Sequence, residues 1–134
     1  MGKYDHLVVY QPRPNIPGKE TDPSIMKKIA FMDSTVMQGA PYFDIMWFVK
    51  PREPAPPEHV HDFDEFIGFV GSNPEDPSDL GAIVNFKIED EWLVLEKSAL
   101  IYIPAGLKHS PFVIENMKRP ILHFSGGPSV QYFK

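Results

Sequence analysis

Fifteen prolines in 134 residues, spread from Pro12 to Pro128, constrain this chain more than any other feature. Inside a helix each proline removes a hydrogen bond and adds a clash, whereas turns, edge strands and extended linkers accept it. Helix is therefore expected to be scarce. Apolar residues make up 43% of the chain and aromatic residues 13%, so the prolines punctuate a packed core, not a disordered chain. The expected class is all-β, built from short strands.

The segments between prolines and glycines read as strands. LVVY (7–10) is strand-like, PRPNIPGKETDP (12–23) is extended loop, and KKIAFMD (27–33) is a short strand. SIMKKIAFM (24–32) has an alternative as one or two helical turns begun by Asp22 or Ser24. YFDIMWFVK (42–50) is a strong strand, and the proline-dense PREPAPP (51–57) carries the chain onward in extended form. EFIGFVG (65–71), AIVNFKI (82–88), WLVLE (92–96), ALIYIP (99–104), PFVIEN (111–116) and PILHFS (120–125) follow. The acidic SNPEDPSDLG (72–81) lacks the spacing of a calcium loop and reads as a hairpin connection. Such strands in series suggest a sandwich or barrel. One domain fits the length, with residues 1–41 as an amino-terminal arm and 42–134 as the body of a barrel. Glu65, Ile67 and Phe69 share one face of their strand while Phe66 and Val70 lie opposite, so both faces call for cover. The arm or a second subunit would provide it, and a homodimer is expected.

Composition excludes several roles. The absence of cysteine removes disulfides, thiolate ligands and a cysteine nucleophile. A net charge of −5 with no basic run argues against nucleic acid and against an anionic membrane surface. The start of the chain has no apolar stretch suited to a signal peptide, and no segment is long enough to span a bilayer, so a cytoplasmic location is expected.

Only five histidines are present, yet EHVHDFDEF (58–66) places His59 and His61 two residues apart and follows them with Glu65. On an extended strand both imidazoles project to the same side, as in part of a metal site. The plainer reading is a pair of surface histidines beside Asp62 and Asp64. Farther on, PAGLKH (104–109) sets a tight proline and glycine turn before His109, able to aim that ring into a cavity. HxHxxxE followed by PxGxxH resembles the two motifs of the cupin (RmlC-like) superfamily, over roughly Trp47 to Phe124. The resemblance implies a cupin-type β-barrel, or double-stranded β-helix (jelly roll), with His59, His61, Glu65 and His109 as metal ligands. Departures fall at flanking positions: Glu53 and Ser98 stand where glycine is usual, Val113 where asparagine is frequent, and Gly71 comes one residue early.

Three neutral imidazoles and a carboxylate suit one divalent transition metal per chain, iron, manganese, nickel, zinc or copper. Four protein ligands on a six-coordinate ion would leave two positions for substrate or dioxygen. His6 and His123 lie outside both motifs and read as surface or satisfied core histidines. Tyr102, Trp47, Phe48 and Phe124 fall on strands near the cavity, where core packing competes with pocket lining. Arg52 and Lys108 offer positive charge for an anionic substrate, against an ordinary solvated role. Asp62 and Asp64 suit a turn in which they cap amides. No general acid or base stands out. The expected function is a metal-dependent enzyme acting on a small oxygen-rich or carboxylate molecule by isomerisation, decarboxylation or lyase chemistry, or oxygenation. The alternative is a non-catalytic sensor or carrier that binds a small molecule.

Overall fold

The computed structural model describes residues 2–131. Among them are nine strands: β1 (Met26–Met32), β2 (Tyr42–Phe48), β3 (Arg52–Ala55), β4 (Glu65–Gly71), β5 (Asp79–Ile88), β6 (Glu91–Lys97), β7 (Ala99–Ile103), β8 (His109–Glu115) and β9 (Ile121–Gly127). The one helical element is a 3-10 turn over Asp5–Leu7. No helix of the described residues is long and apolar enough to cross a membrane.

Two antiparallel sheets face each other, ordered β1-β2-β9-β4-β7 and β3-β8-β5-β6. Only β1 to β2 and β5 to β6 connect neighbours within a sheet; every other connection crosses to the opposite sheet. This alternation winds the chain into a jelly roll. The expected all-β jelly roll is thus what forms, but the sheets are separate and do not hydrogen-bond into a closed barrel.

Alternation along the strands decides what lies between the sheets. In β2, Tyr42, Asp44, Met46 and Phe48 are buried while the residues between them are only partly so, as a period of two requires. The centre is aromatic. Phe69 packs edge-on to Phe112 at 5.1 Å and to Phe86 at 6.1 Å, and stacks on His123 at 4.6 Å. Phe48, Phe69 and Phe86 have no exposed surface, so this cluster is the floor on which the site above it stands.

Several expectations are corrected. SNPEDPSDLG is no hairpin, because β4 and β5 belong to opposite sheets; its turns carry the chain across the sandwich. LVVY joins no strand; Leu7 closes the 3-10 turn. SIMKKIAFM is strand, not helix: Asp22 receives the Ser24 amide and hydroxyl in one turn, and β1 starts at Met26. Pairing with β2 over the length of β1 decides this in favour of strand. Within the sequence's amino-terminal arm, β1 is an edge strand of the larger sheet, while Arg13, Ile16, Lys19 and Thr21 lie along a cavity between the sheets.

The departures from the motif pattern have physical counterparts. Ser98, at the crossing from β6 to β7, accepts the Gly71 amide on its hydroxyl (2.9 Å) and donates to the Pro77 carbonyl (2.6 Å), a clip that glycine could not supply. Gly71 is dictated by a close approach, since a Cβ there would lie 1.9 Å from the Asp79 carbonyl oxygen. Gly71→Ala must push backbone apart and is expected to lower stability by about 1–3 kcal/mol, read as an earlier midpoint in urea unfolding with an unchanged slope.

Candidate metal centre

Backbone pairing brings the two motif segments together. The His59 amide donates to the His109 carbonyl (3.1 Å) and the His109 amide to the His59 carbonyl (3.0 Å). One strand position on, the Gly106 amide donates to the His61 carbonyl (2.9 Å). Asp64 adds a fourth tie by accepting the Ala105 amide on Oδ1 at 2.9 Å, the capping role expected of it. Val60 points outward and is exposed, so both flanking imidazoles point inward.

The histidines converge. One nitrogen from each of His59, His61 and His109 falls within 4.8 Å of the others, with ring centroids 4.4–5.3 Å apart. Carbonyl groups fix two of the rings: Nδ1 of His59 lies 2.8 Å from the Pro57 oxygen and Nδ1 of His109 lies 3.0 Å from that of Leu107. A ring that donates its Nδ1 hydrogen to a carbonyl turns Nε2 toward the cluster as a lone pair. Phe63 stacks on His61 at 4.7 Å and holds its plane.

Glu65, at the start of β4, is 3% exposed and reaches the cluster with one oxygen. Its Oε1 lies 3.1 Å from His109 Nε2 and 3.8 Å from His61 Nε2. Tyr42 donates its hydroxyl hydrogen to Oε2 at 3.1 Å. Having a single hydrogen, Tyr42 then accepts from Ser125, with which it is in close contact. Sequence reasoning missed Tyr42 and Ser125. The signal was the inner face of YFDIMWF, where Tyr42 and Asp44 place polar groups at buried positions.

Electrostatics agree with a cation site. Burial alone would lower the pKa of His109, but its hydrogen bond with Glu65, the Leu107 carbonyl and the Glu65 charge prevail and hold it above the usual value. Both nitrogens of His109 thus face acceptors, the Leu107 carbonyl and Glu65 Oε1, which favours its protonated form relative to a free imidazole. Burial lowers the pKa of His61 against the opposing pull of Glu65, with His59 and His109 adding repulsion, so its lone pair stays available. A divalent ion would compete with protons for these nitrogens, and His59, His61 and His109 are the residues that would hold it. By donor chemistry the four residues fit a transition metal.

The cluster forms one wall of a cavity of about 640 Å³, within the range of small-molecule sites. Phe48 and Arg52 line it, but Tyr102, Trp47, Phe124 and Lys108 do not. Strand alternation puts Trp47 and Phe124 on the outer face, where Phe124 stacks on Phe43 at 5.6 Å, and Tyr102 is 63% exposed there. Asp44 also lines the cavity. Its Oδ2 is 2.8 Å from Arg13 Nε, while its Oδ1 has no hydrogen-bond partner among the described residues. Burial raises its pKa, and Arg13 opposes that rise.

No protein-family model matches the sequence, and no curated protein does. Solved structures do. KdgF from Halomonas sp. is 16% identical, with 95% of this chain and 92% of that one covered at a TM-score of 0.51. The hydroxypropylphosphonic acid epoxidase from S. wedmorenis is 12% identical, with 92% of this chain and 60% of that one covered at a TM-score of 0.50. An RmlC-like cupin family protein with a double-stranded β-helix fold from Methanocaldococcus jannaschii is 15% identical over 91% of this chain and 90% of its own, at a TM-score of 0.48.

His123 is a satisfied core histidine: 7% exposed, it donates from Nδ1 to the Gly68 carbonyl at 2.9 Å. Burial lowers its pKa to about 3, the Gly68 carbonyl opposing and Arg52 contributing. The folded protein keeps this ring neutral where the unfolded chain takes up a proton, so its contribution is intact above about pH 6.5 and is lost as pH falls toward 3. For metal-free protein, unfolding free energy is expected to fall by about 1.4 kcal/mol more per pH unit in this window than in His123→Phe; equal slopes from urea titrations at pH 6 and pH 4 would refute the assignment.

Strand order, the crossing connections and the likeness in fold to KdgF and the epoxidase lead to one conclusion: the chain has the jelly-roll fold of these two proteins, with both motif segments meeting at one end of the sandwich.

Proposed function

We propose that His59, His61 and His109, with Glu65 as a carboxylate ligand, hold one divalent transition metal per chain, and that the protein is an enzyme acting on a small oxygen-rich or carboxylate molecule. What carries this reading is the convergence of three imidazoles within 4.8 Å at the wall of a ligand-sized cavity. Iron, manganese, nickel, zinc and copper all suit the donors. A bound ion would supply Lewis acidity toward substrate oxygens or, if iron, activate dioxygen.

The chain's own residues do the rest. Tyr42 and Ser125 fix the far oxygen of Glu65, so its near oxygen is held for the cation. Phe48, Phe86 and Phe112 give the cavity apolar walls, and Arg13, Ile16 and Lys19 of the arm border it. The epoxidase that shares the fold is named for a small organic acid, which agrees with the proposed substrate class.

Elemental analysis of protein purified without chelator is expected to find about one transition-metal ion per chain. His61→Ala and His109→Ala are expected to lose it and remain folded, because the aromatic core lies beneath the site. Protein that stays metal-free after reconstitution with each candidate ion would sink this reading.

A homodimer is part of the same proposal. On the outer face of the larger sheet Phe66, Leu100 and Tyr102 are 40%, 73% and 63% exposed; Phe66 pairs across the strands with Tyr102, and Leu100, two residues before Tyr102 on β7, pairs with Gly68. Pairing such faces removes apolar surface from water. Light scattering is expected to give twice the chain mass; a monomer at micromolar concentration would contradict it.

A further inference from the structure

We propose that Arg52 is an anion anchor, whose guanidinium binds the carboxylate of a small organic acid lying in the cavity shared with the histidine cluster. This rests on reading the cavity as the substrate site and names the class of substrate.

Arg52 opens β3, the edge strand of the smaller sheet. Its guanidinium carbon lies 5.0 Å from the centroid of the Phe48 ring and 4.4 Å from that of Phe112. Both rings belong to the buried core, so the cation is seated against rigid aromatic faces. The other two arginines have carboxylate partners, Arg13 with Asp44 and Arg119 with Asp79. Arg52 has no ion pair and no hydrogen-bond partner among the described residues.

A partly buried cation without a counter-charge is costly. Aromatic faces recover part of that cost, but they leave the N–H groups unused. Burial brings the Arg52 pKa down to about 10, which still leaves it charged at neutral pH. Its charge is felt by His123, beneath the same rings. This is a built position, not a solvated surface charge.

The rest of the cavity tells what it can accept. Its charged lining is Arg13, Lys19 and Arg52 against Asp44, Glu58 and Glu65. Arg13 is engaged by Asp44 and Glu65 faces the histidines; Lys19 and Glu58 offset each other in formal charge, and a ligand with one negative charge would give Arg52 the ion pair it lacks among the described residues. A planar fork of N–H donors matches the two oxygens of a carboxylate better than a compact ammonium would. The three cations and three acids of the lining balance, so a phosphate dianion would leave a larger excess of negative charge than a carboxylate does.

The test is an NMR titration of the full chain, reading the arginine side-chain N–H resonances, with lactate, malonate and glucuronate as acids, lactamide as the neutral control, and inorganic phosphate. At least one acid is expected to shift the Arg52 resonance saturably in metal-free protein, and lactamide is expected to leave it unmoved. Arg52→Lys is expected to weaken acid binding about tenfold and Arg52→Met further, with metal content equal to that of the unaltered protein. If Arg52→Met fails to fold, the resonance itself and Arg52→Lys decide. No shift with any acid, equal response to lactamide, tighter binding of phosphate, or undiminished binding by Arg52→Lys would each overturn the proposal. Metal content is measured separately: a protein that takes no metal yet shows the acid-specific shift loses only the metal reading. A metal-bearing protein with a silent Arg52 loses only the anchor.

Discussion

The reciprocal amide and carbonyl pair between His59 and His109 is the constraint on which the site depends. Fifty residues separate the two, and closing so long a loop carries an entropic cost that local contacts cannot offset. The sandwich provides the closure. Once β8 is set in its sheet and the proline run has brought the chain back past it, these two hydrogen bonds fix the segments side by side. Carbonyl groups from the same segments then set the ring orientations. The geometry of the histidine cluster is thus a backbone property first and a side-chain property second.

Beneath that junction the aromatic cluster keeps the geometry from relaxing. Phe69, Phe86, Phe112 and His123 interlock between the sheets, and Phe86 also stacks under His109 at 6.5 Å. A close-packed interior resists small displacements. The buried acids are handled differently. Glu65 receives hydrogen bonds on both sides, whereas Asp44 relies on Arg13 from the arm. The amino-terminal segment is therefore tied into the electrostatics of the cavity. Arg52, seated on the core rings, lines the same space without such a partner among the described residues.

Much of this was legible in the sequence. The proline distribution and the short alternating runs indicated an all-β fold, and the spacing in EHVHDFDEF and PAGLKH named the histidines that come together. Period-two alternation is local, and so can be read along one segment. The same rule did not reveal that Trp47, Tyr102 and Phe124 face outward while Phe48 faces the cavity, because alternation gives two faces without saying which is inside. Nor did it show that SNPEDPSDLG crosses between sheets. A turn-rich segment looks the same whether its two strands pair with each other or with others.

What the sequence determined by itself was the inventory and its local geometry: oxygen and nitrogen donors only, two imidazoles on one side of an extended segment, a third behind a rigid turn, and strands too short and too interrupted for helices. What only the tertiary structure decided was company. It placed Tyr42 and Ser125 behind Glu65, gave Arg13 to Asp44, and left Arg52 on aromatic rings with no counter-charge among the described residues. Pairings between distant segments depend on sheet order and on which face closes over the core, and these are properties of the whole packed chain.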